Sequence, residues 1–147
     1  PTKDKFALMS YLPCSTLAPI FGNLSYSDDG TNLYQSTAAT TLTVVEQGRY
    51  DIRANLSLVG IDGAGNTEKS TNVNARIAVN GIPVGAIAAS GYIGFTFNHE
   101  HSSIHISEIL ELPANATITI ITYQEANTGT VNFSGVNESS FMINKLR

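Results

Sequence analysis

The feature that most constrains the fold is a series of short runs in which apolar and polar residues alternate. In the clearest run, residues 49–59, the apolar side chains fall at every second position from Tyr50 to Leu58. Successive side chains of a β-strand point to opposite faces of a sheet, so this period predicts a strand with one buried face. No stretch of ten residues shows a clean helical repeat, and β-branched and aromatic residues dominate the apolar set. The sequence therefore predicts an all-β chain.

Turn residues separate the runs and mark where strands end. Asn80-Gly81 lies between two runs and is a strong hairpin signal, because both central residues of the favoured turn need positive φ. Pro83 cannot donate a ladder hydrogen bond, so we expect it at a strand start or a sheet edge. The predicted strands, about ten as in a β-sandwich or barrel, are 6–12, 40–46, 49–59, 74–79, 82–88, 91–98, 103–112, 116–124, 130–136 and 139–146.

The chain length of 147 residues fits one domain with a sizeable core. No linker or internal repeat divides it, so we expect a single domain over residues 1–147. Residues 1–32 are predicted to form an irregular N-terminal strand and loop, and residues 33–146 the core sandwich. Cys14 is the only cysteine, which excludes an internal disulfide and every zinc pattern built on paired cysteines.

Charged side chains are scarce, at 14% of the chain, where a soluble domain usually has about 25%. Neutral polar residues take their place, with 14 Ser, 15 Thr and 13 Asn. A net charge of −4 and a pI near 5.2 offer no attraction to phosphate, so we expect no nucleic-acid partner. The chain has no run of about 18 uninterrupted apolar residues, so we expect no membrane insertion.

Motifs for catalysis are missing from the sequence. It has no Gly-x-Ser-x-Gly elbow, and Cys14 has no activating base near it in the chain. No pair stands out among the 12 acidic residues as the two carboxylates of a glycoside hydrolase. We therefore expect a protein that is not an enzyme.

All three histidines, His99, His101 and His105, fall within seven residues. On a strand they would share one face, and His-x-His is a metal-ligand spacing, so they are candidate ligands of a transition metal. A polar loop that enters the next strand, or a contact sensitive to pH, explains the same residues. The acidic turns at 27–32 and 62–66 are the corresponding calcium candidates, although turn formation also accounts for them. We expect no cofactor beyond these two metal alternatives.

Four segments carry, in order, the motifs of a known family. Residues 45–52 resemble a Gly-x-Tyr-x-apolar strand entry, and residues 75–81 resemble a strand that ends in an Asn-Gly hairpin. Residues 110–118 resemble an apolar-x-Leu-x-x-Gly-Asp-x-apolar turn, and residues 138–146 a closing Ser-x-Phe-x-x-x-x-Leu strand. These are motifs of the globular head of complement component one q, and the closing strand is shared with tumour necrosis factor-like heads.

The resemblance implies a ten-stranded jelly-roll sandwich that assembles as a homotrimer, often on a collagen-like or fibrous stalk. The abundance of Asn, Ser and Thr is most similar to bacterial and phage heads, such as the collagen-like glycoprotein of the spore exosporium and phage tail-fibre tips. The Gly-Asp of the family's turn is replaced by Asn115-Ala116, and Trp is absent. By the same resemblance, Tyr50, Tyr123 and Phe141 are expected in the core or at the trimer interface.

Two functions remain open from the sequence. The first is a non-enzymatic trimeric head of an extracellular fibre or surface glycoprotein of a spore, cell or virion, acting in trimerisation and in attachment to a surface receptor. The second is a glycan-binding domain of a phage or viral fibre, in which hydroxyls and amides bind the sugar beside a stacking aromatic. Its candidate loop aromatics are Tyr26, Tyr34 and Tyr92. Both functions place the chain on an extracellular surface.

Overall fold

The computed structural model describes residues 16–17, 33–38, 40–61, 70–95, 99–125, 129–135 and 138–147. The predicted strand at 6–12 and the acidic turns at 27–32 and 62–66 lie outside the described residues. Within the described ranges, no helix has the length and hydropathy needed to cross a membrane. The strands are β1 Thr16–Leu17, β2 Tyr34–Ala38, β3 Thr41–Val44, β4 Gly48–Ile61, β5 Ser70–Thr71, β6 Val73–Val79, β7 Ile82–Pro83, β8 Ala88–Ala89, β9 Ile93–Gly94, β10 His101–Leu112, β11 Ala116–Gln124, β12 Thr130–Phe133 and β13 Ser140–Lys145.

Two antiparallel sheets make up most of the fold. The first sheet has the order β2-β3-β11-β6-β7, with β1 also paired to β11 and β8 to β6. The second sheet is built around the long strand β4, with β10 along one edge and β12 and β13 in succession along the other. Strands β5 and β9 form a small third sheet. The all-β architecture predicted from the sequence is confirmed.

The core lies between the two main sheets and follows the alternation seen in the sequence. Every second residue of β4, from Tyr50 to Gly60, is buried, while the residues between them are half-buried or exposed. The first sheet contributes the matching series from β3, β6 and β11, which includes Leu42, Ile77 and Ile118. Burying apolar area in this way is the main force that holds the two sheets together.

Tyr50 is a fully buried aromatic residue of this core. Its ring packs edge-on against that of Tyr34, with the ring centroids 6.3 Å apart and the planes at 71°. Its hydroxyl donates a hydrogen bond of 2.7 Å to the carbonyl oxygen of Glu46. Burial raises the pKa of the Tyr50 hydroxyl, and the Glu46 carboxylate adds to this effect, so the group stays a neutral donor.

The hairpin predicted at Asn80-Gly81 is confirmed. Both residues have positive φ, 51° and 78°, and they connect β6 to β7. The Asn80 side chain also accepts a 2.9 Å hydrogen bond from the backbone N–H of Thr117, which ties the turn to β11. Pro83 lies in β7, an edge strand of the first sheet, as its missing N–H requires.

Some predicted strands have different bounds in the structure. The run at 82–88 is divided into β7 and β8, because the segment between them is held by side chains instead of a ladder. There Glu108 accepts a 2.7 Å hydrogen bond from the N–H of Ala86, and Arg76 donates to the carbonyl oxygens of Val84 and Gly85 at 3.1 and 2.8 Å. In the described part of the run at 91–98, residues 91–95, the strand covers Ile93–Gly94, and strand β2 had no counterpart among the predicted strands.

Candidate functional site

The second sheet has one face that the first sheet does not cover. Because side chains alternate along a strand, the residues of β4, β10 and β13 that lie between the core positions point away from the core. We call this surface the open face. It consists of the outward-pointing side chains of residues 49–59, 101–111 and 140–144, brought side by side by the pairing of β10 and β13 with β4.

Two large apolar side chains are exposed on the open face. Ile109 of β10 is 53% exposed and Met142 of β13 is 46% exposed. They lie on either side of β4, where Ile109 is opposite Asp51 and Met142 is opposite Arg53. The other outward positions of β10 and β13 are polar or charged, so Ile109 and Met142 are the apolar residues that these two strands place on the face, and the half-buried Val59 of β4 is a further one.

The charges of the open face balance one another. Arg53 forms a bidentate ion pair with Asp51 on the same strand, with nitrogen–oxygen distances of 3.1 and 3.3 Å. Glu111 lies directly opposite Arg49 in the antiparallel register. Opposite charges in such cross-strand positions attract each other. The two arginines and two carboxylates therefore leave the face without net charge when its histidines are neutral.

A row of polar residues crosses the middle of the open face. His105 of β10 and Ser140 of β13 both lie opposite Asn55 of β4. The Ser103 hydroxyl lies 3.4 Å from Nε2 of His105, within the same strand. The Oδ1 atom of Asn55 is buried and has no hydrogen-bond partner among the described residues. We call His105, Asn55 and Ser140 the polar row.

The three histidines do not come together within one chain. His101 and His105 lie on the open face four residues apart along β10, which separates them by roughly 13 Å. His99 precedes the strand and is exposed. The described residues contain no group of three or more His, Cys, Asp or Glu side chains placed to hold a metal ion.

The aromatic residues predicted for the core or a subunit interface lie away from the open face. Tyr50 is in the core, and Phe141 is half-buried and packs against it from β13. Tyr123 lies on β11 of the first sheet, where its hydroxyl accepts a 2.8 Å hydrogen bond from Nδ2 of Asn74. Ile109 and Met142 were not predicted from the sequence. The signal for them was present, because they are apolar residues at the alternate positions of β10 and β13 that point away from the core.

The three loop tyrosines have different environments. Tyr26 lies outside the described residues. Tyr34 must be corrected: it lies in strand β2, only 8% exposed, and its ring packs against Tyr50. A sugar needs an accessible ring face, so Tyr34 is a core residue and not a stacking surface. Tyr92 precedes β9 and is 77% exposed, which leaves its ring open to solvent.

Comparison with known proteins identifies the fold of the chain. No protein-family model and no curated protein sequence matches the chain. Among solved structures, that of Eiger TNF from S. frugiperda is similar, with a TM-score of 0.53 over 78% of this chain and 69% of that chain. The two sequences are 12% identical over this match, so the likeness concerns the fold. The chain therefore has the tumour necrosis factor-like jelly-roll fold.

Proposed function

We propose that the chain is the non-enzymatic head domain of an extracellular fibre or surface glycoprotein, and that it assembles as a homotrimer through the open face. The observation that carries this proposal is the exposure of Ile109 and Met142 on a sheet face that has no net charge. The tumour necrosis factor-like fold supports it, because the resemblance seen in the sequence implies a trimeric head.

The balanced charges make this face suited to a second copy of itself. Symmetric assemblies bring identical surfaces together, so a face with excess charge of one sign would repel its copies. Here each arginine has a carboxylate beside it or opposite it, and the Asp51–Arg53 pair on β4 lies between Ile109 on β10 and Met142 on β13. Burying Ile109 and Met142 against the neighbouring chains would supply apolar contact at the centre of the interface. The outer surface of the first sheet would remain available for a surface receptor.

Light scattering tests the assembly. We expect the wild-type chain to show three times its chain mass of 15.7 kDa. The double variant Ile109→Lys/Met142→Lys should be a monomer with an unchanged far-UV circular dichroism spectrum, because it adds two like charges to the face. Ile82→Lys is the matched control, since Ile82 is 65% exposed but lies on an edge strand of the first sheet, and it should stay trimeric. A monomeric wild type, or a double variant that stays trimeric, would contradict the proposal.

Tyr92 favours a second function, the binding of neutral glycans. Tyr92 is 77% exposed and follows Ser90 and Gly91 in the chain. At these two residues, Nδ2 of Asn72 donates a 3.2 Å hydrogen bond to the carbonyl oxygen of Ser90, and the Ser102 hydroxyl lies 3.6 Å from the place that a Cβ on Gly91 would take. An aromatic face beside amides and hydroxyls is the chemistry that stacks on and hydrogen-bonds a sugar ring.

A glycan array tests this second function. Tyr92→Ala should lose the bound glycans, whereas Tyr92→Phe should keep them because it retains the ring. Ile87→Ala is the control, since Ile87 is also exposed, at 49%, in the segment before β8. The glycan function is rejected if the folded wild-type protein binds none of the arrayed sugars.

A further inference from the structure

Asn55 occupies a position that its own chain does not explain. It lies near the middle of β4, on the open face, away from any turn or strand end that would call for an Asn side chain. Its Oδ1 atom is buried without a hydrogen-bond partner among the described residues. A buried polar atom without a partner is unfavourable, and most such atoms in native proteins are satisfied. An aliphatic residue at this position would form the same strand without that cost.

The groups around Asn55 are donors that do not reach its oxygen. His105 and Ser140 are its direct neighbours on the two flanking strands, and both side chains are exposed on the open face. By contrast, the hydroxyl of Ser57, the next outward residue of β4, is engaged within the chain, where it donates to the Ser134 hydroxyl at 3.2 Å. The polar row therefore offers an unmatched acceptor flanked by two accessible groups that can donate.

We propose that Asn55 determines the specificity of the assembly, fixing the register and the number of copies that meet at the open face. This inference rests on the proposed function, because it requires the open face to be buried between copies. The last torsion of an Asn side chain is broad, so the carbonyl can turn outward and accept a hydrogen bond from the polar row of a neighbouring copy. Only an arrangement that brings a donor opposite Asn55 satisfies this atom.

The physical basis is a difference in free energy between alternative ways of packing the copies together. Apolar contacts through Ile109 and Met142 are not directional, so they stabilise several ways of packing copies together. A buried amide penalises every arrangement in which it lacks a partner. A single buried Asn selects the register and copy number of coiled coils by this effect, at a cost in stability. Asn55 combines with the apolar pair in the same way on a sheet surface.

The test compares two residues of the same shape at position 55. Asn55→Val and Asn55→Thr both introduce a β-branched side chain, but only Thr keeps a polar group that hydrogen-bonds. Native mass spectrometry should show a single trimer for the wild type and for Asn55→Thr. For Asn55→Val, we expect the ratio of other oligomers to trimer to rise about tenfold, which corresponds to the loss of one hydrogen bond. Ser57→Val introduces the same side chain two residues away and should keep the single trimer.

The outcomes separate this inference from the proposed function. A monomeric wild type would overturn both. A trimeric wild type together with an Asn55→Val variant that forms the same single trimer would overturn the role of Asn55 alone. Circular dichroism checks that each variant folds, and Asn55→Leu provides a second apolar variant if Asn55→Val does not fold. A single trimer for Asn55→Leu in that case would also overturn the inference.

Discussion

Replacement of Tyr50 by Ala is expected to lower the free energy of unfolding by about 3–5 kcal/mol. The ring is fully buried between the two sheets and contacts the ring of Tyr34, so its removal leaves a cavity that the sheets cannot close without shifting. The substitution also removes the donor to the Glu46 carbonyl oxygen, which holds the segment leading into β4. Urea denaturation followed by circular dichroism, at one fixed protein concentration, measures the change.

Two further tyrosine variants separate the contributions to this loss. Tyr50→Phe keeps the ring and removes only the hydrogen bond to Glu46, so it should cost about 1 kcal/mol. Tyr92→Ala removes an equally large side chain that is 77% exposed, and its effect should stay within about 0.5 kcal/mol. If Tyr50→Ala destabilised the protein no more than Tyr92→Ala, the position of Tyr50 in the core would be wrong.

Local signals were enough to predict much of the fold. The alternation from Tyr50 to Leu58 marks the central strand of the second sheet, and the Asn80-Gly81 pair marks a hairpin whose backbone needs left-handed φ at both residues. The predicted strand at 116–124 has the same bounds in the structure as β11. In each case the information lies within about ten residues, because side-chain alternation and turn conformation are properties of a short segment.

Features that depend on distant residues were not predictable in the same way. Strand β2 has the sequence Tyr-Gln-Ser-Thr-Ala, which has no apolar alternation, and it forms because β3 pairs with it. The burial of Tyr34 follows from its contact with Tyr50, which is 16 residues away. Likewise, the break between β7 and β8 depends on Glu108, which reaches the Ala86 N–H from β10. Tertiary contacts override local propensity at all three places.

Only part of the open face could be predicted from the sequence. The outward phase of β10 and β13 could be read from the alternation, and it contains Ile109 and Met142 where solvent-facing residues are expected. The pairing of these two strands with opposite edges of β4 brings the apolar pair and the polar row onto one surface. That pairing joins residues about 40 to 95 positions apart in the sequence, so no local pattern contains it.

The low content of charged residues in the sequence is reflected in the composition of the open face. With 14% charged residues, the chain still places two arginines and two carboxylates on the open face, where they occur as matched pairs. The remaining outward positions of β10 between Ser103 and Ser107 are neutral or histidine. A surface of this kind has no excess charge that would favour an oppositely charged partner, which supports a copy of the same chain as its occupant.

Replacement of Gly60 by Ala is expected to lower the free energy of unfolding by about 1–3 kcal/mol. Gly60 lies at a buried position of β4, and an added Cβ would overlap the backbone carbonyl oxygen of Gly94 and press on the side chains of Ile93 and Phe95 at 3.0 and 3.1 Å. Because the overlapping Gly94 oxygen belongs to the backbone, it cannot move aside as a side chain can, and the small sheet formed by β5 and β9 must shift to make room. The shift would also strain the 2.7 Å hydrogen bond from the Gly60 N–H to the Glu100 carbonyl oxygen.

Gly91→Ala is the matched control for the Gly60 variant. An added Cβ at Gly91 would have the Ser102 hydroxyl as its nearest neighbour at 3.6 Å, an ordinary van der Waals contact, so stability should change by less than about 0.5 kcal/mol. Urea denaturation of both variants at the same protein concentration measures the difference. Equal stabilities for the two variants would show that β9 does not press on β4 as closely as the structure has it. A loss confined to Gly60→Ala means that the close contact between these strands, which only glycine permits, fixes how the small sheet covers this end of the core.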